Sequence, residues 1–150
     1  EPTVGLDPIA TQELYQVIGR LRSEGTSIII CSHVLPGVEP YIDRAAVLAL
    51  GRMEAVGSLQ ELRTQAKLPV RIRVAGLNAE QLSDPAVQEI RSLHADWHEL
   101  FVAPDDKLAT LPRLLQLQPQ DIEVQAATLE DLYGYYMEKA GALGVAGVQQ

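Results

Sequence analysis

Two short segments, about 30 residues apart, carry the side chains best suited to phosphate chemistry. The first, EPTVGLDP, holds Glu1, Gly5 and Asp7, and the second, CSHVL, holds Ser32 and His33. A carboxylate that follows a strand can orient a water molecule for attack on a phosphate, and an imidazole there can donate a hydrogen bond to a γ-phosphate. Together the segments predict a phosphate-facing site, whereas either one alone is also typical of an ordinary loop.

A helix and a strand are predicted to position these two segments. Asp7 and Pro8 indicate a helix start, because Asp caps exposed N–H groups and Pro suits the first helical position. Gly25 ends that helix. Residues 26–31 (TSIIIC) are mostly β-branched and do not alternate, which predicts a strand buried on both faces of a parallel sheet, with Cys31 as a buried thiol. This is the second half of a βαβ unit, so we predict an α/β fold.

The next segment is predicted to form a short helix, a β-hairpin and a capped helix. The short helix lies near residues 36–43. Residues 45–50 (AAVLAL) indicate a strand buried on both faces. Gly51 and Arg52 are predicted to turn the chain, and residues 53–57 return as the hairpin partner. The SLQE segment, residues 58–61, matches a capping box and begins a helix that ends near residue 66.

Beyond residues 67–69 the pattern changes and predicts a small α+β domain over residues 68–139. Its strands alternate apolar and polar residues, so one face of their sheet should be exposed to water. The predicted elements are strands at 70–76, 97–103 and 121–126, weak helix at 79–93, a helix at 107–117 with a bend at Pro112, and a helix capped by Thr128. Residues 140–150 are uncharged and glycine-rich, and we expect them to be loose.

Other reactive side chains are predicted to have structural roles. His94 and His98 are interpreted as solvated histidines rather than a metal pair. They are four residues apart, but a strand is predicted to begin at Trp97, so the two side chains would not share one face of a helix. No metal ligands are therefore predicted. Leu129, Leu132, Tyr133 and Tyr136 are predicted to share one face of the last helix, and Tyr133, Tyr135, Tyr136 and Met137 are interpreted as a packing stripe rather than a cofactor box. Asp105 and Asp106 are interpreted as a helix start.

The composition argues against several classes of protein. The formal net charge is −8 and the twelve Lys and Arg residues are scattered, so no nucleic-acid partner is predicted. Hydrophobic residues make up 47% of the chain, which indicates a folded protein. The single cysteine excludes an internal disulfide. No apolar run reaches the roughly 18 residues of a membrane helix, so membrane association is expected only through a partner.

The site segments resemble motifs of the ABC transporter ATPases. EPTVGLDP resembles the end of the Walker B segment and the D-loop, SH resembles the H-loop, and DRAAVLALGRMEAVGSLQEL resembles the hairpin and helix that follow. The resemblance covers residues 1 to about 66. It implies that Glu1 polarises the attacking water, that Asp7 reaches across an ATPase dimer and that His33 senses the γ-phosphate. Gly5 and Ser32 would shape the nucleotide site and dimer interface.

The same resemblance implies a cellular setting. It implies ATP and Mg²⁺ as cofactors, a homodimer of ATPase subunits, and transmembrane permease subunits that hold the protein at the cytoplasmic side of the inner membrane. The phrases SHVLPGVE, LPVRIRV and TLEDLYGYYM further resemble ATPase subunits of copper-processing ABC transporters that serve nitrous oxide reductase assembly. The extension that ends in LED and an aromatic residue also resembles those of other ABC-2-type ATPases, including drug and polysaccharide exporters. The implied fold is the C-terminal part of a P-loop NTPase domain, residues 1–67, followed by the accessory domain.

The family pattern is only partly present. The sequence has no G-x-x-x-x-G-K-[ST] phosphate loop, no LSGGQ signature and no Walker B aspartate before Glu1. We therefore expect the chain to be the C-terminal part of a longer subunit and to be inactive by itself. The alternative is a regulatory or interaction domain, residues 70–138, attached to a non-catalytic remnant. Nucleotide binding distinguishes the two, because only a complete ATPase must bind ATP.

Overall fold

The computed structural model describes residues 2–94 and 96–142. Glu1 and residues 143–150, most of the predicted loose tail, lie outside the described residues. The chain divides into two compact units, Glu1–Asp43 and Arg44–Gln150. A two-stranded and a four-stranded sheet occur in the described part, and every strand pair in them is antiparallel. The predicted mixture of helices and strands is confirmed, but the parallel sheet is wrong.

The first unit is built on a helix whose two ends were both predicted. The Asp7 carboxylate accepts a hydrogen bond from the Ala10 N–H at 2.8 Å, and Gly25 follows the helix with a φ of +89°. Tyr15 is 2% exposed and stacks on Tyr41, with ring centroids 4.3 Å apart. The helical elements are α1 (Pro8–Ser23), α2 (Leu35–Val38) and a 3₁₀ helix (Glu39–Tyr41), which replace the single short helix predicted near residues 36–43.

The strand predicted over residues 26–31 does not form. These residues have no regular secondary structure, and Ile29 is 94% exposed. Cys31 is also exposed, so the prediction of a buried thiol is wrong. The physical reason is that a strand must pair its N–H and C=O groups with a neighbour. No strand lies in the described part of this unit to provide that pairing.

The second unit begins with the predicted hairpin and capped helix. Strands β1 (Ala45–Ala49) and β2 (Arg52–Gly57) pair through a turn in which Leu50 and Gly51 have φ values of 48° and 74°. Positive φ at both positions suits the twist of a tight hairpin. β1 is buried on one face only, since Leu48 is 63% exposed, which corrects the prediction of two buried faces. Helix α3 (Leu59–Ala66) has the predicted capping box, completed by Ser58 and Glu61.

A four-stranded sheet follows, with its strands in the order β4-β5-β3-β6. Three of these strands were predicted; the fourth, β4, was predicted as weak helix over residues 79–93. Residues 87–92 form a strand because they pair with β5 and because Val87 and Ile90 pack against the apolar core. These tertiary contacts override the local helical pattern. The strands are β3 (Val70–Ala75), β4 (Val87–Ser92), β5 (Trp97–Val102) and β6 (Asp121–Gln125).

Two helices cover different surfaces of the second unit. Helix α4 (Lys107–Gln116) continues through Pro112 and packs Leu114 against the apolar core of the sheet. Helix α5 (Leu129–Lys139) begins with the predicted Thr128 cap, which forms a capping box with Asp131. Tyr133, predicted to pack, is 42% exposed, so the packing stripe is wrong at that position.

Helix α5 packs mainly against elements that precede residue 67. Its Leu132 and Tyr136 join Val47, Leu62 and Ala66 in one buried cluster. The hairpin, α3 and α5 therefore share a core, separate from the core beneath the sheet. The domain boundary predicted at residues 67–69 stays a prediction. Helix α5 follows this boundary in the chain but packs against the hairpin and α3, which precede it.

Candidate functional site

The first site segment forms a tight turn that leads into α1. Residues 2–5 are in turn conformation, and the Leu6 N–H donates to the Thr3 C=O at 3.2 Å. Gly5 has a φ of +80° and no atom lies near the position of a β-carbon, so its backbone conformation rather than crowding favours glycine. Asp7 caps α1 and is exposed. Glu1 lies outside the described residues, so its predicted role stays a prediction.

The second site segment is a turn that leads into α2. The Ser32 hydroxyl oxygen accepts a hydrogen bond from the Val34 N–H at 3.0 Å, which fixes the backbone around His33. The His33 side chain is exposed. The predicted shaping role of Ser32 is thus consistent with a local turn, although its part in nucleotide binding stays a prediction.

The structure holds the predicted residues as two local pairs. Gly5 and Asp7 share one turn, and Ser32 and His33 share another, both within the compact unit Glu1–Asp43. The hydrogen bonds that define each turn are local. An exposed carboxylate and an exposed imidazole are chemically able to accept from and donate to a ligand or a second subunit. Their joint action at one phosphate stays a prediction.

Sequence reasoning missed a groove in the second unit, which we call the α5 groove. It has a volume of about 500 Å³ and lies between α5 and the sheet face opposite the α4 core. Its walls include Arg71, Arg91, Glu99 and Phe101 from the strands and Asp131 and Tyr135 from α5. Sequence alternation predicted a polar sheet face, but only the folded position of α5 turns that face into a groove.

Ion pairs organise the sheet side of the α5 groove. Arg71 contacts Asp131 at 2.6 Å, and Arg73 contacts the 7% exposed Glu99 at 2.9 Å. The Arg91 guanidinium lies 4.4 Å from the centre of the Phe101 ring. Its hydrogen bond to Glu89 raises the pKa of Arg91 and lowers the pKa of Glu89. These pairs hold the groove wall in a defined shape.

The two histidines outside the predicted site have different surroundings. His94 is exposed, as predicted. His98 is half-buried on β5, and its Nδ1 atom is buried with no hydrogen-bond partner in the described part of the chain, so its interpretation as a solvated histidine is wrong. Across residues 2–94 and 96–142, no group of three His, Cys, Asp or Glu residues is arranged to hold a metal ion.

Comparison with known proteins identifies relatives of part of the chain. It is 39% identical over 62 residues to the energy-coupling factor transporter ATP-binding protein EcfA3 of Oenococcus oeni, and 37% identical over 65 residues to the ABC-type transporter ATP-binding protein EcsA of Bacillus subtilis. The similarity is to ABC transporter ATP-binding proteins. A further relative, 34% identical over 65 residues, is the ATP-binding cassette sub-family A member 17 of Rattus norvegicus. No model of a known protein family matches the chain.

The matched segments are short relative both to this chain and to its relatives. The aligned segments cover 41% to 43% of this chain. The chain in turn spans 22% of EcfA3, 26% of EcsA and 4% of the rat protein, about a quarter or less of each relative. In the described ranges, no helix is both long and apolar enough to cross a membrane.

Proposed function

We propose that this chain is part of the ATP-binding subunit of an ABC transporter. The observation that carries the proposal is its 37–39% identity, over 62–65 residues, to bacterial proteins named as transporter ATP-binding proteins. The exposed Asp7 and His33 support it, because both are accessible to a ligand or a second subunit.

In this proposal the chain supplies the γ-phosphate end of the nucleotide site. Glu1 polarises the attacking water, and His33 donates a hydrogen bond to the γ-phosphate. Gly5 and Ser32 fix the two turns, and Asp7 reaches the partner subunit of a homodimer. Phosphoryl transfer depends on positioning and charge neutralisation, which bound Mg²⁺ and a phosphate loop supply in this family. This sequence contains no such loop.

The proposed partners and the finer identity follow from the same family. The subunit would dock on transmembrane permease subunits at the cytoplasmic face of the inner membrane and couple ATP hydrolysis to transport. A copper-processing role in nitrous oxide reductase assembly is the narrowest form of the proposal. It rests on the phrases SHVLPGVE, LPVRIRV and TLEDLYGYYM in this sequence alone.

A second candidate function is that of an interaction domain attached to a remnant of the ATPase. The α5 groove favours it, because the groove lies wholly in the second unit and uses none of the predicted nucleotide-site residues. Only the first function requires ATP binding, so a test of ATP binding distinguishes the two.

The experiment is a Glu1→Gln substitution in the ATP-binding subunit that contains this chain. Gln keeps the size of the side chain but loses the charge that orients water, so ATP binding should persist while steady-state phosphate release is abolished. Glu13→Gln, the same change on the exposed side of α1, is the matched control and should hydrolyse ATP at the wild-type rate. Normal phosphate release by Glu1→Gln would refute the assigned role. Failure of the wild-type subunit to bind ATP would favour the remnant instead.

A further inference from the structure

One face of α5 combines three residues that line the α5 groove. Glu130, Gly134 and Glu138 are spaced four residues apart, so they lie above one another on the helix surface. The two carboxylates are separated by eight residues, or about 12 Å along the helix axis. Gly134 lies midway between them and leaves a gap in the wall, since no atom lies within 4 Å of the position its β-carbon would take.

Two of these residues are unfavourable for the helix itself. Glycine inside a helix costs about 1 kcal/mol relative to alanine. Glu138 lies in the last turn of α5, where a negative charge opposes the helix dipole. Neither Glu130 nor Glu138 has a hydrogen bond or ion pair through its side chain in the described part of the chain. Helix stability therefore does not account for Gly134 and Glu138, and both face the same groove.

The charge of the groove defines what it fits. Four carboxylates and two guanidiniums line it, a formal charge of −2. Asp131 is paired with Arg71, Glu99 with Arg73, and Arg91 with Glu89, so the charge left for a ligand is that of Glu130 and Glu138. The lining also includes aromatic residues, Phe101 on the strand side and Tyr135 beside Gly134 on the helix.

We propose that the α5 groove binds an extended, basic peptide segment of a partner protein. An extended chain rises about 3.3 Å per residue and presents every second side chain to one face. Residues i and i+4 are then about 13 Å apart on that face, close to the spacing of Glu130 and Glu138. The recognised pattern is a cation at i, an apolar side chain at i+2 that enters the gap at Gly134, and a cation at i+4. This surface is separate from the proposed nucleotide site.

The test titrates the isotope-labelled 150-residue chain with the peptide acetyl-Lys-Ser-Leu-Ser-Lys-amide and follows backbone amide signals by NMR. We expect saturable shifts centred on Gly134 and Phe101, and no such shifts with acetyl-Glu-Ser-Leu-Ser-Glu-amide. The double variant Glu130→Gln/Glu138→Gln should bind about tenfold more weakly, because each exposed ion pair contributes only a few-fold. Gly134→Leu should abolish binding by filling the gap.

Two controls keep the proposal falsifiable. Glu80→Gln/Asp105→Asn removes the same net charge at exposed positions outside the groove and should bind within twofold of wild type. Gly134→Leu favours helix formation, and circular dichroism would check that this variant folds. The proposal is overturned by the absence of saturable shifts, by equal weakening in the control double variant, or by unchanged binding to Gly134→Leu. Concentration-dependent self-association that disappears in Gly134→Leu would also overturn it, because the occupant would then be a second copy of this chain.

Discussion

Replacing Leu132 by alanine should destabilise the whole second unit. Leu132 is fully buried on α5, in a cluster that draws Val47 from the hairpin and Leu62 and Ala66 from α3. The substitution deletes three carbon atoms, worth about 2.4 kcal/mol at about 0.8 kcal/mol each. The cavity left among residues of three elements adds about 1–2 kcal/mol, within the range measured for buried leucines. We therefore expect the free energy of unfolding to fall by about 3–4 kcal/mol.

Urea unfolding measures this loss with two probes. Far-ultraviolet circular dichroism follows all elements, and the fluorescence of Trp97 follows strand β5. A loss of about 3–4 kcal/mol is a large share of the roughly 5–15 kcal/mol that a domain has. Both midpoints should fall together, because α5 packs in this cluster and also contacts the sheet through the ion pair between Arg71 on β3 and Asp131. Leu115→Ala on α4, where the leucine is 56% exposed, deletes the same atoms and should cost less than about 1 kcal/mol.

Two results would refute this reasoning in different ways. If Leu132→Ala shifts the midpoint no more than Leu115→Ala does, the α5 cluster does not stabilise the unit. If circular dichroism shifts while the Trp97 midpoint stays fixed, the sheet unfolds independently of the hairpin, α3 and α5. The second result would count against the predicted domain of residues 68–139, because that domain includes both the sheet and α5.

Three further predictions concern single side chains. Hydrogen bonds from the Ala86 N–H, the larger cause, and from Arg113 lower the pKa of Asp84. The charge of Asp84 therefore stabilises the fold at pH values above the ordinary pKa near 4, and this contribution is lost as the pH falls through the lowered pKa. The urea midpoints of wild type and Asp84→Asn should therefore converge on acidification; a constant gap would contradict this. His98→Leu should leave the stability in thermal unfolding unchanged or raise it by up to about 1 kcal/mol, because it removes a buried nitrogen that has no hydrogen-bond partner in the described residues. A clear loss of stability would contradict this and indicate that the nitrogen has a partner. Ser58→Ala should cost about 1 kcal/mol through loss of the α3 cap, measured by the same urea titration, and an unchanged midpoint would show that the cap adds nothing.

The elements with local signals were predictable from sequence. Asp7 and Gly25 set the ends of α1, and the capping boxes at Ser58 and Thr128 set the starts of α3 and α5. These features depend on hydrogen bonds between residues at most a few positions apart. The hairpin belongs to the same class, although its turn lies at Leu50 and Gly51, one residue before the predicted turn at Gly51 and Arg52.

The failures arose where long-range packing decides the structure. Residues 26–31 have strand composition, but a strand also needs a neighbour with which to pair, and sequence alone does not provide one. Residues 87–92 have weak helical periodicity, yet pairing with β5 makes them a strand. The α5 groove was not predictable, because it exists only where α5 lies against the sheet face. Residue types and spacing predict a phosphate-facing site, but the separate roles of Glu1, Asp7 and His33 are implied only by resemblance to a family.

The proposed function is tested most directly by the ATP hydrolysis rate of a His33→Ala variant of the subunit that contains this chain. Loss of one oriented hydrogen-bond donor to the γ-phosphate typically costs about 3 kcal/mol, or about 100-fold in rate. His94→Ala removes another exposed imidazole and serves as the control. The account predicts an about 100-fold slower rate for His33→Ala with ATP affinity retained, and an unchanged rate for His94→Ala. Equal, wild-type hydrolysis in both variants would contradict it.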